Sequence, residues 1–136
     1  MSFVLDASVA LAWFFEDEFN DYARGVRAAL KRQRPVAPWP WPVETTNALA
    51  VAERRGRISA AKVDVALRLL AALPVDVNAA VPSPPHLLAL CRAHQRTAYD
   101  ALYLDLALRD RLPLATLDGG MRQACLEAGI ALYEPS

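Results

Sequence analysis

Cysteine is scarce in this chain of 136 residues, which contains two, Cys91 and Cys125, outside any CxxC or Cys/His cluster. A disulfide framework needs several spaced cysteines, and a zinc site needs clustered Cys or His ligands. Histidine is equally rare, because the chain has only His86 and His94. The sequence therefore predicts neither a disulfide framework nor a zinc site. We interpret both cysteines as small core residues and both histidines as helix-surface residues without a role.

Long apolar runs are also absent, although 54% of the residues are hydrophobic. A membrane-spanning helix needs roughly 20 consecutive apolar residues. The first residues, MSFVLDASVALAWFFEDE, are apolar, but they contain no basic segment and reach an acid at Asp6, unlike a signal peptide. We therefore expect a soluble, globular, cytoplasmic protein without a membrane segment. The length is typical of a single domain that covers residues 1–136.

Net charge is absent as well, because 15 Lys and Arg residues offset 15 Asp and Glu residues. The chain has no overall basic field that would hold it on nucleic acid, although local patches could still do so. Arginines concentrate in the runs KRQR (31–34) and ERRGR (53–57). These runs either contact phosphates, which suit the guanidinium group, or form solvated helix ends, the second of which Gly56 would cap.

The chain does contain a regular alternation of short apolar runs and helical patterns. The apolar runs predict strands at residues 3–5, 36–37, 75–77, 113–117 and 130–133. Helical spacing predicts helices at about 22–30, from Ser59 to Leu73, and in the segments PSPPHLLALCRAHQ, TAYDALYLDLALRD and GGMRQACLEAG. This alternation favours an α/β fold with a mostly parallel sheet of about five strands, covered by helices on both faces.

Four acids fall near points where predicted strands end or helices begin: Asp6, Glu44, Asp100 and Asp118. In parallel sheets, binding sites form beyond the carboxyl ends of the strands. Each acid alone is also explained as a helix cap, because acids bind the free N–H groups at helix N-termini. The position of all four acids at one edge is only partly independent evidence for a binding site, since strand-to-helix connections place helix N-termini at that edge in any case.

Four carboxylates in one apolar cleft would repel each other unless a cation lay between them. Carboxylate and water oxygens are the ligands that Mg2+ or Mn2+ prefers, and no cluster of His or Cys favours a softer metal. Three polar residues could orient such ligands or bridge water, and they would also be ordinary caps or turn residues: Ser8, Asn47 and Thr116.

The segments VLDASVALAWFFEDE, PWPVETTNALA, TAYDALYLDLA and PLATLDGGM resemble, in order and spacing, the motifs of PIN-domain nucleases. The resemblance spans nearly the whole chain and is strongest to the toxin component of VapBC toxin-antitoxin pairs. Position by position, the family's acidic metal-binding residues fall on Asp6, Glu44, Asp100 and Asp118. The resemblance implies a three-layer α/β/α fold, Mg2+- or Mn2+-dependent RNA hydrolysis, a homodimer, and a small VapB-type antitoxin that blocks the site.

Several alternatives stay open. A PIN-fold binding module that is weakly active or has lost catalysis is the main one. A receiver-type phosphoacceptor domain also gathers acids around Mg2+, but the only lysines, Lys31 and Lys62, do not follow a late strand. The run AWFF (12–15) forms either core or a groove for a partner helix or dimer mate. Asp105 is left out of the site, because five residues of helix turn it about 140° away from Asp100.

Overall fold

Four short parallel strands form the centre of the computed structural model, which describes residues 2–136. In sequence order the strands are β1 (Val4–Leu5), β2 (Val36–Pro38), β3 (Asp76–Asn78) and β4 (Leu114–Ala115). Across the sheet their order is β3-β2-β1-β4. Val4 of β1 is in register with Val36 on one side and with Leu114 on the other. β1 is therefore an inner strand, paired on both edges.

The fifth strand predicted at residues 130–133 is reduced to one parallel bridge between Leu114 and Leu132. Around this bridge, the Leu114 N–H donates to the Ala131 carbonyl and the Tyr133 N–H donates to the Leu114 carbonyl, both at 2.9 Å. β4 contains only two residues, so it offers this segment a short ladder. The predicted α/β fold with a parallel sheet is confirmed, with four strands instead of about five in the described part of the chain.

Seven helices occur within residues 2–136: α1 (Ala7–Ala12), α2 (Asp21–Ala29), α3 (Trp41–Arg54), α4 (Ala60–Ala72), α5 (Pro84–His94), α6 (Ala98–Asp110) and α7 (Gly119–Ala128). Their ends follow local chemistry. The Ser59 hydroxyl accepts a hydrogen bond from the Lys62 N–H at 3.2 Å and caps α4. Gly129, with a φ of 75°, ends α7 in the left-handed region that favours glycine. Both ends agree with the prediction from sequence. None of these helices is long and apolar enough to cross a membrane.

Helix α6 and strand β1 lie at the centre of the core. Val4 and Leu5 are fully buried, and all residues of α6 from 101 to 107 are buried. α6 packs against β1 and β2 and also against α5 and α7. The apolar character of this helix around its whole circumference is explained by these neighbours on several sides.

The two ends of the described chain meet in this core. The rings of Phe3 and Tyr133 stack with their centroids 3.9 Å apart. The Tyr22 hydroxyl donates to the Tyr133 carbonyl at 2.8 Å. Both cysteines are free thiols. Cys125 is buried, whereas Cys91 is half-buried. The core position expected for the cysteines is therefore confirmed fully for Cys125 and in part for Cys91.

The connections that carry the acids start at the carboxyl ends of three strands. β1 leads directly into Asp6 and α1, and β4 leads through Thr116 into Asp118 and α7. β2 leads through residues 39–40 into α3, whose first turn contains Glu44. Helix α6 adds Asp100 in its own first turn. The sheet topology thus brings four separate parts of the sequence toward one edge.

Candidate functional site

Asp6 is the most enclosed of the four acids, with 7% of its surface exposed. Its Oδ2 atom accepts hydrogen bonds from the hydroxyls of Ser8 and Thr116, both at 2.7 Å. Although Asp6 precedes α1, its side chain makes no capping hydrogen bond to that helix. The interpretation of Asp6 as a helix cap is therefore wrong, and Ser8 and Thr116 orient its carboxylate.

Burial raises the pKa of Asp6 above its ordinary value, because the charged form loses its hydration. The hydrogen bonds from Thr116 and Ser8 oppose this effect, whereas the negative charges of Asp100 and Asp118 add to it. These charge effects show that Asp6 lies in one electrostatic neighbourhood with Asp100 and Asp118.

Glu44 joins the same neighbourhood from the first turn of α3. Burial raises its pKa, a hydrogen bond from Tyr103 opposes the rise, and the charges of Asp6 and Asp100 increase it. The Tyr103 hydroxyl donates to Oε1 of Glu44 at 2.7 Å. Tyr103 is fully buried, and its own pKa is raised by burial and by the negative charges of Asp6 and Glu44. The Tyr103 hydroxyl thus stays protonated and keeps donating to Glu44.

Sequence reasoning missed Tyr103, although a signal for it existed. It follows Asp100 by three residues on α6, and residues three apart lie on nearly the same face of a helix. A buried tyrosine also needs a partner for its hydroxyl. An acid on a neighbouring helix was therefore a reasonable partner to search for.

Asp100 and Asp118 share a cation, which is the guanidinium group of Arg96. Arg96 Nη2 lies 2.8 Å from Oδ2 of Asp100 and 2.7 Å from Oδ2 of Asp118, and Nε donates to Asp100 at 3.1 Å. A metal ion is the cation expected between the acids from the sequence, in which Arg96 has no assigned role. Within the described chain, this arginine is the cation beside two of the four carboxylates.

Asp118 also caps a helix, as the alternative interpretation expected. Its Oδ1 atom accepts a hydrogen bond from the Gly120 N–H at 2.9 Å, at the start of α7. At Asp100 the roles are different, because the Thr97 hydroxyl caps α6 by accepting from the Asp100 N–H at 3.1 Å. The Asp100 carboxylate is thereby left to face Arg96. Asp118 can therefore cap α7 with one carboxylate oxygen and belong to the acidic group with the other.

Asn47 lines a cavity with Glu44 that none of the other three acids lines. The two residues line this open cavity of about 390 Å³ together with Trp39, Val43, Tyr99 and a proline. The side chains of Trp39 and Tyr99 are large and aromatic, yet these residues are 40% and 56% exposed. The structure thus places Asn47 on the rim of the acidic group, next to two aromatic surfaces that sequence reasoning did not single out.

Asp105 faces a different set of partners, as its angle around the helix predicts. Its carboxylate lies 3.1 Å from Nε2 of His86 and 3.3 Å from Nη2 of Arg109. His86 remains more than half exposed at its side chain, in agreement with its predicted surface position. For His94 that prediction is wrong, because its side chain is only 10% exposed and pairs with Glu127 at 3.1 Å. His94 is the last residue of α5 and faces Glu127 of α7 instead of water.

The arginine runs pair with acids on the surface. Nη2 of Arg34 lies 2.8 Å from Asp76, and Nη2 of Arg57 lies 3.0 Å from Glu18. Gly56 has a φ of 72° and follows α3 at the position predicted for a helix end. These contacts favour the interpretation of solvated helix ends over phosphate contacts for Arg34 and Arg57.

The chemistry of this group fits a hard divalent cation, because its donors are carboxylate oxygens with hydroxyl oxygens beside them. The present side-chain positions do not yet form a coordination shell. Within residues 2–136, no three His, Cys, Asp or Glu side chains converge closely enough to hold a metal ion. Each carboxylate instead has a partner within the chain: hydroxyls for Asp6, Tyr103 for Glu44, and Arg96 for the other two. Coordination requires the carboxylates to turn toward a common point.

Comparison with known proteins identifies one family. Residues 3–126 match the family model described as PIN domain. The matched range contains all four acids and extends from β1 into α7. No curated protein matches the chain.

Proposed function

Since the chain belongs to the PIN domain family, a family of metal-dependent nucleases, we propose that it is a Mg2+- or Mn2+-dependent endoribonuclease. We further propose that it is the toxin of a type II toxin-antitoxin pair of the VapBC kind. The observation that carries the nuclease proposal is the shared electrostatic neighbourhood of Asp6, Glu44, Asp100 and Asp118 at one sheet edge. Four separate parts of the chain supply these acids, and only Asp118 makes a capping bond with its carboxylate.

In this proposal the four acids would hold the ion, which when bound would activate water and stabilise negative charge on the leaving oxygen. The surrounding residues position the ligands. Ser8 and Thr116 fix one oxygen of Asp6 and leave the other free to bind. Tyr103 does the same for Glu44, whose second oxygen remains available. Outer residues that hydrogen-bond to ligands in this way orient them for the metal.

The proposed substrate is RNA that is single-stranded or looped at the cut. Unpaired bases stack on exposed aromatic side chains, whereas duplex RNA hides its bases. Trp39 and Tyr99 provide such surfaces in the cavity that also contains Glu44. An RNA base that stacks on these rings would place the neighbouring phosphate of the RNA backbone beside the acids. The balanced overall charge of the chain makes such local contacts more important for binding RNA.

The proposed antitoxin would bind partly through an apolar helix. Of the run AWFF, Ala12 and Phe15 are buried, whereas Trp13 and Phe14 are only partly buried against the core. Trp13 and Phe14 line a largely apolar cavity of about 460 Å³ together with Leu69, Leu73, Ala72 and Arg27. An apolar helix fits such a groove, and a basic residue from the same partner could pair with the acids. A homodimer and action in the cytoplasm complete the proposal.

The alternative is a PIN-fold binding module that is weakly active or inactive. The observation that favours it is Arg96, which occupies two of the four carboxylates. A cleavage assay separates the two functions: antitoxin-free protein is incubated with cellular RNA and Mg2+ or Mn2+, beside Asp100→Asn. We expect metal-dependent cleavage by the wild type and its loss in the variant, with circular dichroism showing that both are folded. Folded wild type that leaves RNA intact with both metals would support the binding module.

The toxin role needs its own test. Expression of the chain alone should arrest growth, and co-expression with a small partner encoded beside it should restore growth and inhibit cleavage. Harmless expression of an active nuclease, or a bound partner that leaves cleavage undiminished, would contradict the toxin role and leave the nuclease proposal standing.

A further inference from the structure

Arg96 occupies a position that the local backbone prepares for it. Helix α5 ends at His94, and the next residue, Gln95, has a left-handed conformation with a φ of 52°. Thr97 then caps α6, so Arg96 lies in a tight connection between two helices. Its side chain is 22% exposed and reaches both Asp100, four residues ahead, and Asp118 at the start of α7. Three parts of the chain are thus joined by one guanidinium group.

Gly120 leaves the space that this guanidinium fills. A Cβ atom at Gly120 would lie 2.1 Å from Nη1 of Arg96 and 2.9 Å from its Cζ atom, which is closer than atoms can approach. The backbone at Gly120 does not need glycine, because the glycines with positive φ are Gly56 and Gly129 in the described residues. Glycine is also a poor helix former. Gly120 therefore leaves room for the guanidinium, and an alanine at this position would make the end of the Arg96 side chain shift.

The pairing of Arg96 with the acids is strong enough to compete with another cation. Hydrogen bonds between a guanidinium and a carboxylate are charge-assisted, and Arg96 forms them with two partners at 2.7 and 2.8 Å. These pairs are only partly exposed, so water weakens them less than it weakens pairs on an open surface. A divalent ion at the same carboxylates would need their oxygens and would be repelled by the positive charge of Arg96.

We propose that Arg96 is an internal counter-ion of this site, which holds Asp100 and Asp118 in the metal-free protein and must leave them when a divalent ion binds. The inference rests on the proposed function, because it takes Asp100 and Asp118 as metal ligands. Arg96 then acts as a positioning residue with two effects. It prevents repulsion between the acids without metal, and it raises the metal concentration at which the site fills.

The test measures Mn2+ binding by isothermal titration calorimetry, together with thermal melting in EDTA, and needs no RNA. Arg96→Gln should bind Mn2+ about tenfold more tightly than wild type, which corresponds to about 1.4 kcal/mol. The same variant should melt at a lower temperature in EDTA, because two acids lose their counter-ion. Arg92→Gln is the matched control, since it removes the same charge from the exposed last turn of α5. It should leave the Mn2+ affinity unchanged.

Gly120→Ala provides a second variant that keeps every charge. Its Cβ atom would displace Arg96, so Mn2+ should again bind more tightly than in wild type. If wild type binds Mn2+ and neither Arg96→Gln nor Gly120→Ala binds it more tightly, the counter-ion inference is wrong and the proposed function stands. An equal gain in Arg92→Gln would also overturn the inference, because net charge alone would explain it. If wild type, Arg96→Gln and Gly120→Ala all fail to bind Mn2+, the proposed function fails together with the inference.

Discussion

Replacing Tyr103 by Phe removes one hydroxyl group from the site and keeps the shape of the buried ring. This hydroxyl donates to Oε1 of Glu44 at 2.7 Å, and it links the centre of α6 to the first turn of α3. Tyr103 itself is fully buried, so the ring of the substituted Phe fills the same space. The variant therefore isolates the contribution of one hydrogen bond to a carboxylate.

The expected loss of stability follows from the charge and exposure of Glu44. A hydrogen bond to a charged group contributes about 1.5–3 kcal/mol, and water can replace part of it because Glu44 is half-buried. We expect Tyr103→Phe to lower the free energy of unfolding by about 1–2 kcal/mol. For a chain of this length, that loss lowers the melting temperature by roughly 3–7 °C. The pKa of Glu44 should rise further, because the bond from Tyr103 is what opposes the effect of burial.

Two measurements check this expectation: thermal melting in EDTA, and RNA cleavage as a function of pH at fixed Mn2+. Cleavage by Tyr103→Phe should need a higher pH than cleavage by wild type, because a Glu44 carboxyl with a raised pKa loses its proton at a higher pH. Tyr99→Phe is the control, since Tyr99 lies one turn earlier on α6 and is 56% exposed. It should change stability by less than about 0.5 kcal/mol. If Tyr103→Phe and Tyr99→Phe have the same melting temperature and the wild-type pH profile of cleavage, the hydrogen bond to Glu44 contributes neither to stability nor to the protonation of Glu44.

Further predictions address the acids, the pH dependence and the aromatic cavity. Replacing any of the four acids by its amide should lower RNA cleavage by orders of magnitude while circular dichroism shows an intact fold, whereas Asp105→Asn should leave cleavage nearly unchanged; an essential Asp105 would refute the assignment. The raised pKa of Asp6 means that its contribution to the stability of the metal-free protein is present below about pH 3.8 and is lost as the pH rises through the folded-state pKa. In EDTA, the melting temperature of Asp6→Asn relative to wild type should therefore increase over that pH range, and a constant difference would contradict the shift. Trp39→Ala and Tyr99→Ala should each raise KM for unpaired RNA by about tenfold with a smaller change in kcat; an unchanged KM would remove the cavity from the RNA-binding surface.

The helices were predictable because their signals are local. The Ser59 cap, the Gly129 end and the apolar spacing within α4 and α7 depend on neighbouring residues in the sequence. Strand lengths were less predictable, since the length of a strand also depends on how many residues the neighbouring strand offers for pairing. Residues 130–133 have the composition of a strand, but the two-residue β4 pairs with them at a single bridge.

The position of the acids was predictable for a different reason, which is that strand-to-helix connections gather at one sheet edge. Their immediate partners were not. Arg96 precedes Asp100 by four residues, but Gln95 breaks the helix before it, so helical periodicity cannot place its side chain. Its second partner, Asp118, becomes a neighbour only when α7 packs beside α6. These contacts exist only after the tertiary fold has formed.

The inner position of β1 has a consequence for the order in which the protein matures. β1 leads directly into Asp6, but one of the two strands that pair with β1, β4, begins only at Leu114. Thr116, which fixes the Asp6 carboxylate, is separated from it by 110 positions. A chain that is still being synthesised therefore contains Asp6 and its near partner Ser8 long before it contains Thr116. The proposed nuclease therefore cannot assemble its site before the chain has been synthesised through β4 and Thr116.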